Sequence, residues 1–350
     1  MPRERLFYLD FIRAIAAIAI VITHYNATFL YMDPPITNCY VIDAYVFNVY
    51  IGSFGVSLFL IISGAALMFV YGKGLNLKKF YFKRFKSLYP MFWIAYAVSF
   101  LYIYVYNRSW EYTTIPKKNM LLTLIGMDGY LADLLPTFYL VGEWFLGFIV
   151  IFYIIFPLLR FLIEKQPVLL AIGCLVIYAL LMWKYPMKLY ASKNILVRLP
   201  ELLFGMYFIK YIKKSNLIMA VCGLLVLICN QIFKPEWSQD IQTTYIGIAS
   251  FLVLVYVAGF VKNKNVHAIC AWISKYSYAI FLTHHITIFV FMGKFNLTSM
   301  VHLESYMVFF GLCFVIAVSS VILFIVEKYV EKFFALIWRK IRKNNNVENV

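Results

Sequence analysis

The sequence predicts an all-α polytopic membrane protein, a bundle of about ten transmembrane helices with both termini in the cytoplasm. Three observations predict it. Of the 350 residues, 63% are hydrophobic and 14% charged, the balance of a chain that lives in lipid. Ten stretches are long enough, or nearly so, to span as helices. The basic residues divide unevenly between alternate connections: 23 of the 32 fall on the side of the N-terminus and 9 on the other. That asymmetry marks the cytoplasmic face. The net charge of +16 therefore reports topology, and no nucleic-acid partner is expected.

The spans fall near 8–31, 49–71, 87–107, 140–163, 167–184, 195–211, 216–233, 242–261, 273–292 and 306–334. The first is longer than a cleaved signal core and carries Asp10, Arg13 and His24, which favours retention. Between the third and fourth, 119–136 is apolar but broken by Gly126, Asp128, Gly129 and Asp133. It reads as a partly buried external loop, with re-entry into the membrane as an option. The sixth span is the shortest and carries Arg198 and Glu201. Residues 1–338 form one transmembrane domain, and 339–350 a polar, mobile cytoplasmic tail. None of the six cysteines makes a Cys-x-x-Cys pair, so no disulfide framework and no metal site is expected. The expected location is the cell membrane, with its lipids as neighbours.

Polar residues inside such a chain are the candidates for function. Arg13 and His24 are eleven residues apart, about three turns, so they share one face of the first helix roughly 16 Å apart. Asp10, three residues before Arg13, can pair with it; Arg3 and Arg5 read as anchors. A buried histidine is either a helix–helix hydrogen bond or a general base. Lys83, Arg84 and Lys86 lead into Tyr89-Pro90 at a bundle mouth, where such charges serve topology, lipid headgroups or phosphates. Glu143 opens the fourth span, as a solvated boundary carboxylate or a pocket residue. Arg198 and Glu201 form a structural ion pair or line an outward-facing polar cavity. His284 and His285 stand at a depth like that of His24. Adjacent residues point about 100° apart, so the two are not expected to face one partner. Haem ligation by two such histidines lacks any further ligands to support it.

In order, these elements resemble the acyltransferase 3 family of integral membrane acyltransferases. The family opens with Arg, then Leu-Asp, then Arg and His separated by ten residues; here these are Arg5, Leu9-Asp10, Arg13 and His24. A segment close to Phe-Phe-x-Ile-Ser-Gly corresponds to Leu58 through Gly64. A basic stretch ending in Tyr-Pro corresponds to Lys83 through Pro90. A Trp-Phe-Leu…Phe-Tyr…Pro run matches Trp144 to Pro157, and an Arg-x-x-Glu…Gly element matches Arg198, Glu201 and Gly205. Ser277 to His284 matches Ser-Tyr-x-x-Tyr-Leu-x-His, with Phe281 for the second Tyr. A late Glu matches Glu331. Three departures stand out. The family's Arg-x-x-Arg before Tyr-Pro reads Arg84-x-x-Ser87, flanked by Lys83 and Lys86, so charge is kept but bidentate geometry is partly lost. A Glu that many members carry after Trp-Phe-Leu is replaced by the apolar Gly147 to Val150. The fused hydrolase-like domain of some members is absent.

The resemblance implies transfer of an acyl group, acetyl above all, from cytoplasmic acyl-CoA to a sugar hydroxyl of a surface or lipid-linked glycan. It makes His24, with Arg13 and Asp10, the catalytic group, either as base or as an acyl relay. Lys83, Arg84 and Lys86 would hold the CoA phosphates, and Glu143, Arg198, Glu201 and His284 the acceptor. Acyl-CoA enters as co-substrate, with no permanently bound cofactor, and glycan-synthesis machinery is a candidate neighbour. The competing function is a glycan exporter or flippase without transferase chemistry.

Overall fold

The computed structural model describes residues 6–107 and 114–347; Arg3, Arg5 and Arg108 lie outside them. The described residues are helical apart from connections and one small hairpin, Tyr45–Val46 against Val49–Tyr50. The main helical elements follow the expected order. They are α1 Phe7–Leu30, α2 Ile51–Tyr71, α3 Leu77–Asn107, α4 Trp144–Lys165 and α5 Pro167–Trp183. Then come α6 Leu199–Tyr207, prolonged by a π-helical turn Phe208–Ile212, α7 Leu217–Phe233, α8 Gln239–Ala258, α9 Lys264–Met292 and α10 His302–Val347. Among the described residues, six of these are long and apolar enough to cross a membrane: α1, α2, α3, α4, α8 and α10. The chain is thus an all-α, multi-pass membrane protein. α5 and α7 are shorter apolar helices, and α6 is too short to span unaided.

Several boundaries differ from the sequence reading, each for a physical reason. α3 begins at Leu77, so the basic stretch ahead of Tyr89-Pro90 is helix and not a connection. Phe85 stacks on Tyr89 at 4.9 Å and Tyr89 meets Trp93 at 5.5 Å, a ladder at four-residue spacing that carries the helix through Pro90. α9 and α10 also extend past their apolar windows, and helix continues to Val347.

α1 packs between α2 and α9; α2 also meets α6 and α8; α7 lies on α8 and α10 on α9. The α2–α6 contact is a meeting of backbones. A methyl group at Gly64 would lie 2.1 Å from the Leu202 carbonyl oxygen, and one at Gly205 would lie 1.9 Å from that of Ile61. Without a hydrophobic force between helices in lipid, small residues that allow such approach hold helices together. Gly205→Ala is therefore expected to lower the yield of monodisperse protein sharply, since overpacking typically costs ~1–3 kcal/mol and two backbones must part. Gly173→Ala, where nothing lies within 4 Å, is the control and should leave the yield unchanged. Size-exclusion chromatography of a fluorescent fusion reads both.

The loop before α4 descends into the bundle. Tyr89 and Trp93 of α3 donate to the carbonyls of Ile125 and Leu124, and Gly142, with φ of +77°, lies against His285. Non-helical backbone at this depth survives only where protein satisfies it. Glu143 does so: its carboxylate accepts from the Val141 amide at 2.7 Å and the Leu140 amide at 3.2 Å. The helix thus starts beside the histidines, within the bundle.

Candidate active site

α1 and α9 run parallel and side by side, so like spacings on the two bring like pairs together. Arg13 Nη1 donates to Ser274 Oγ at 2.8 Å, and that hydroxyl donates to Asp10 Oδ1 at 2.5 Å. Asp10 and Arg13 are thus tied together through a hydroxyl of the neighbouring helix. Ten residues beyond Ser274, His284 meets His24, with ring centroids 4.8 Å apart. His285 lies 5.3 Å from the same ring. The expectation that His284 and His285 would not share a partner is therefore corrected. The three rings form a cluster, His284 and His285 lying 6.3 Å apart and both meeting His24 edge-on.

The tautomer of His284 follows from its neighbours. Its Nδ1 lies 2.8 Å from the Phe281 carbonyl oxygen and 3.0 Å from that of Ile280, so Nδ1 carries the proton. Its Nε2 is left as an acceptor, buried and without a hydrogen-bond partner among the described residues, as is His285 Nδ1. Two buried, unpartnered ring nitrogens flanking a third imidazole are costly unless something binds there.

What binds has room. A cavity of about 760 Å³ runs between α1, α2, α4 and α9. Arg13, Ser87 and Ser277 form one end, and Tyr153, Phe145 and Phe281 its apolar waist. The three histidines come next, then Tyr31, Tyr50 and Lys193 at the other end. Helical rise puts about 16 Å between Arg13 and His24 and about 10 Å between His24 and Tyr31. Together these cover most of a hydrocarbon core of about 30 Å.

The remaining candidates take unequal places. Arg84 is not in the wall but stands over it: its guanidinium is 5.5 Å from the ring of Tyr153 and 5.7 Å from that of Tyr71. Lys86 pairs with Glu331 at 3.6 Å, and Lys83 is exposed. Arg160, not singled out from the sequence, donates to the Tyr71 and Gly72 carbonyls at the end of α2, adding a fixed cation near this mouth. On the other side Arg198 is in the wall and 1% exposed, with Nε 2.9 Å from Glu201 Oε2. Its Nη2 has no hydrogen-bond partner among the described residues. Glu201 lies behind it, 0% exposed, held by a short hydrogen bond from Ser57. Two acceptor candidates are thus outside the wall: Glu201 backs Arg198, and Glu143 is fully buried in satisfying its own loop. Ser274 and Ser57, which orient the charged residues, were missed from the sequence. Only the ten-residue interval from Ser274 to His284, close to that from Arg13 to His24, hinted at the first.

The model of the acyltransferase domain that defines the acyltransferase 3 family matches residues 6–326. The chain belongs to the acyltransferase 3 family. The match runs from the start of α1 into α10, so it takes in every residue of the cavity wall. No curated protein and no solved structure matches the chain. The protein is thus a membrane acyltransferase.

Proposed function

We propose that this acyltransferase moves an acetyl group from acetyl-CoA, entering at the basic mouth, to a sugar hydroxyl of a surface or lipid-linked glycan entering from the opposite side. One observation supports the reading above others: a single cavity joins the Arg13 end to the Arg198 and Lys193 end, with His24 between them. The thioester C–S bond breaks and an ester C–O bond forms. The acceptor proton passes to His24 and leaves with the CoA thiolate. In the relay version His24 first takes the acyl group itself and then gives it to the sugar. His284, its proton held on Nδ1, presents Nε2 to the same space and is suited to accept a proton from His24 or from the sugar. Ten spans in the plasma membrane, with both termini cytoplasmic, put the 23 basic residues on the CoA side.

On the donor side, replacing Lys83, Arg84 and Lys86 with Gln should raise the KM for acetyl-CoA about tenfold or more with kcat little changed, the pattern of lost uniform binding. Arg84→Gln alone should account for most of it, because Arg84 adjoins the wall residue Tyr153. Isothermal titration of CoA against correctly inserted protein checks this. Unchanged affinity would leave only topology to those charges. Deleting the coding gene should remove esters that mild alkali releases from the cell's glycans; a deletion that stops glycan export with its esters intact would favour the exporter.

A further inference from the structure

The connection between α1 and α2 forms a second recess of about 640 Å³ on the outer side. Its wall is rich in tyrosine: Tyr40, Tyr45 and Tyr50 from the connection and Tyr306 from α10. Tyr50 belongs to this wall and to that of the main cavity. Leu30, at the end of α1, lines the recess, while the next residue, Tyr31, lines the cavity. The two spaces are therefore neighbours sharing a wall. Tyr45 meets Tyr50 edge to face at 6.2 Å, and Tyr45 is 54% and Tyr31 84% exposed.

The polar groups there include Asp43, His302, Thr37 and Asn38. Asp43 is exposed and holds the hairpin by accepting from the Tyr45 amide at 3.1 Å. His302 Nδ1 lies 2.5 Å from the Asn38 carbonyl oxygen, which fixes the imidazole edge at the rim. Flat aromatic faces beside a carboxylate and an imidazole suit a ligand with apolar faces and a girdle of hydroxyls, which is a sugar ring. A membrane-interface belt would also use tyrosine, but belt tyrosines ring the outside of a bundle, and these line a recess.

We propose that this recess is a second subsite, binding a sugar unit of the acceptor chain beyond the unit that is acylated. The proposal rests on the glycan-acceptor reading above. From His24 to Leu30 the rise is about 9 Å, a gap that a second or third sugar unit bridges. The enzyme would then favour acceptor chains over single sugars, because a chain occupies both spaces at once.

The test uses the full-length protein in detergent with acetyl-CoA. The acceptor is the producing cell's surface polysaccharide, stripped of esters by mild alkali and partly hydrolysed to a size ladder. The wild type should prefer the longer members. Tyr45→Ala should raise the KM for these about tenfold, the scale of one lost aromatic contact, and leave the KM for the shortest member and for acetyl-CoA within about twofold. Its ring is more than half exposed, so its loss costs the fold little. Asp43→Asn should shift the ladder in the same direction. A Tyr45→Ala enzyme with the wild-type length preference overturns the subsite while transfer to sugar stands. Equal loss on short and long acceptors also overturns it. Wild-type enzyme that releases CoA but acylates no member of the ladder removes the glycan reading itself, and the subsite with it.

Discussion

His24→Ala should abolish acyl transfer in a protein that still inserts and folds. The expected loss is ~10²–10⁴-fold, the usual cost of removing a general base, and larger if His24 carries the acyl group. The fold should tolerate the change because His24 borders a cavity, so truncation enlarges an existing space and opens no new void in a packed core. His24 is also the imidazole that lies nearest to both of the others, at 4.8 and 5.3 Å, against 6.3 Å between His284 and His285. His284→Ala should therefore cost less than His24→Ala, since it removes one flanking group and leaves the reacting one. Coupled release of CoA and formation of alkali-labile ester, normalised to folded protein, measures both. More than about a tenth of the wild-type rate in His24→Ala would take the histidine out of the chemistry.

Arg198→Ala has the other large expected effect, and most of it comes through Glu201. The pair is fully buried, and among the described residues Ser57 is the one further side-chain donor to Glu201. Removing one partner of a buried pair leaves an uncompensated charge and typically costs ~3–5 kcal/mol. Folded yield should fall steeply in Arg198→Ala and return in the double variant Arg198→Ala/Glu201→Gln, which removes the stranded charge. Activity is then read on the double variant. If Arg198 grips the acceptor, this enzyme binds acetyl-CoA normally but has a raised acceptor KM. A normal acceptor KM in the folded double variant would reduce the pair to a structural role.

Much of this was legible in the sequence where periodicity and burial cost speak alone. The positions of the ten helical elements follow from apolar windows, and the pairing of Arg13 with His24 on one face follows from 3.6 residues per turn. Helix starts were misjudged where polar residues lead in. The basic first turns of α3 and the polar first turns of α9 are helical because their aromatic faces pack, a property that apolar windows do not register. Glu143 was read as a boundary carboxylate or an acceptor-pocket residue, both on the assumption that the span starts at the surface; instead the carboxylate is buried against the Leu140 and Val141 amides of its own loop. His284 and His285 show a different limit. The angle between them is a property of one helix, whereas what they face depends on a second helix whose register the sequence does not state. Ser57 and Ser274 carry no mark of their own. A serine in a membrane helix most often bonds back to its own backbone, as Ser63 does to the Phe59 carbonyl, and only the fold shows which ones reach across.

In the proposed reaction one cavity carries an acyl group from the basic side to the opposite side past His24. Sided proteoliposomes test it most directly. Protein is reconstituted in one orientation, de-esterified glycan fragments are sealed inside, and radiolabelled acetyl-CoA is added on the side of Lys83, Arg84 and Lys86. The account predicts label in alkali-labile ester on the enclosed glycan, free CoA remaining outside, and neither product with His24→Ala. Label appearing only on glycan that shares the compartment with CoA would contradict it.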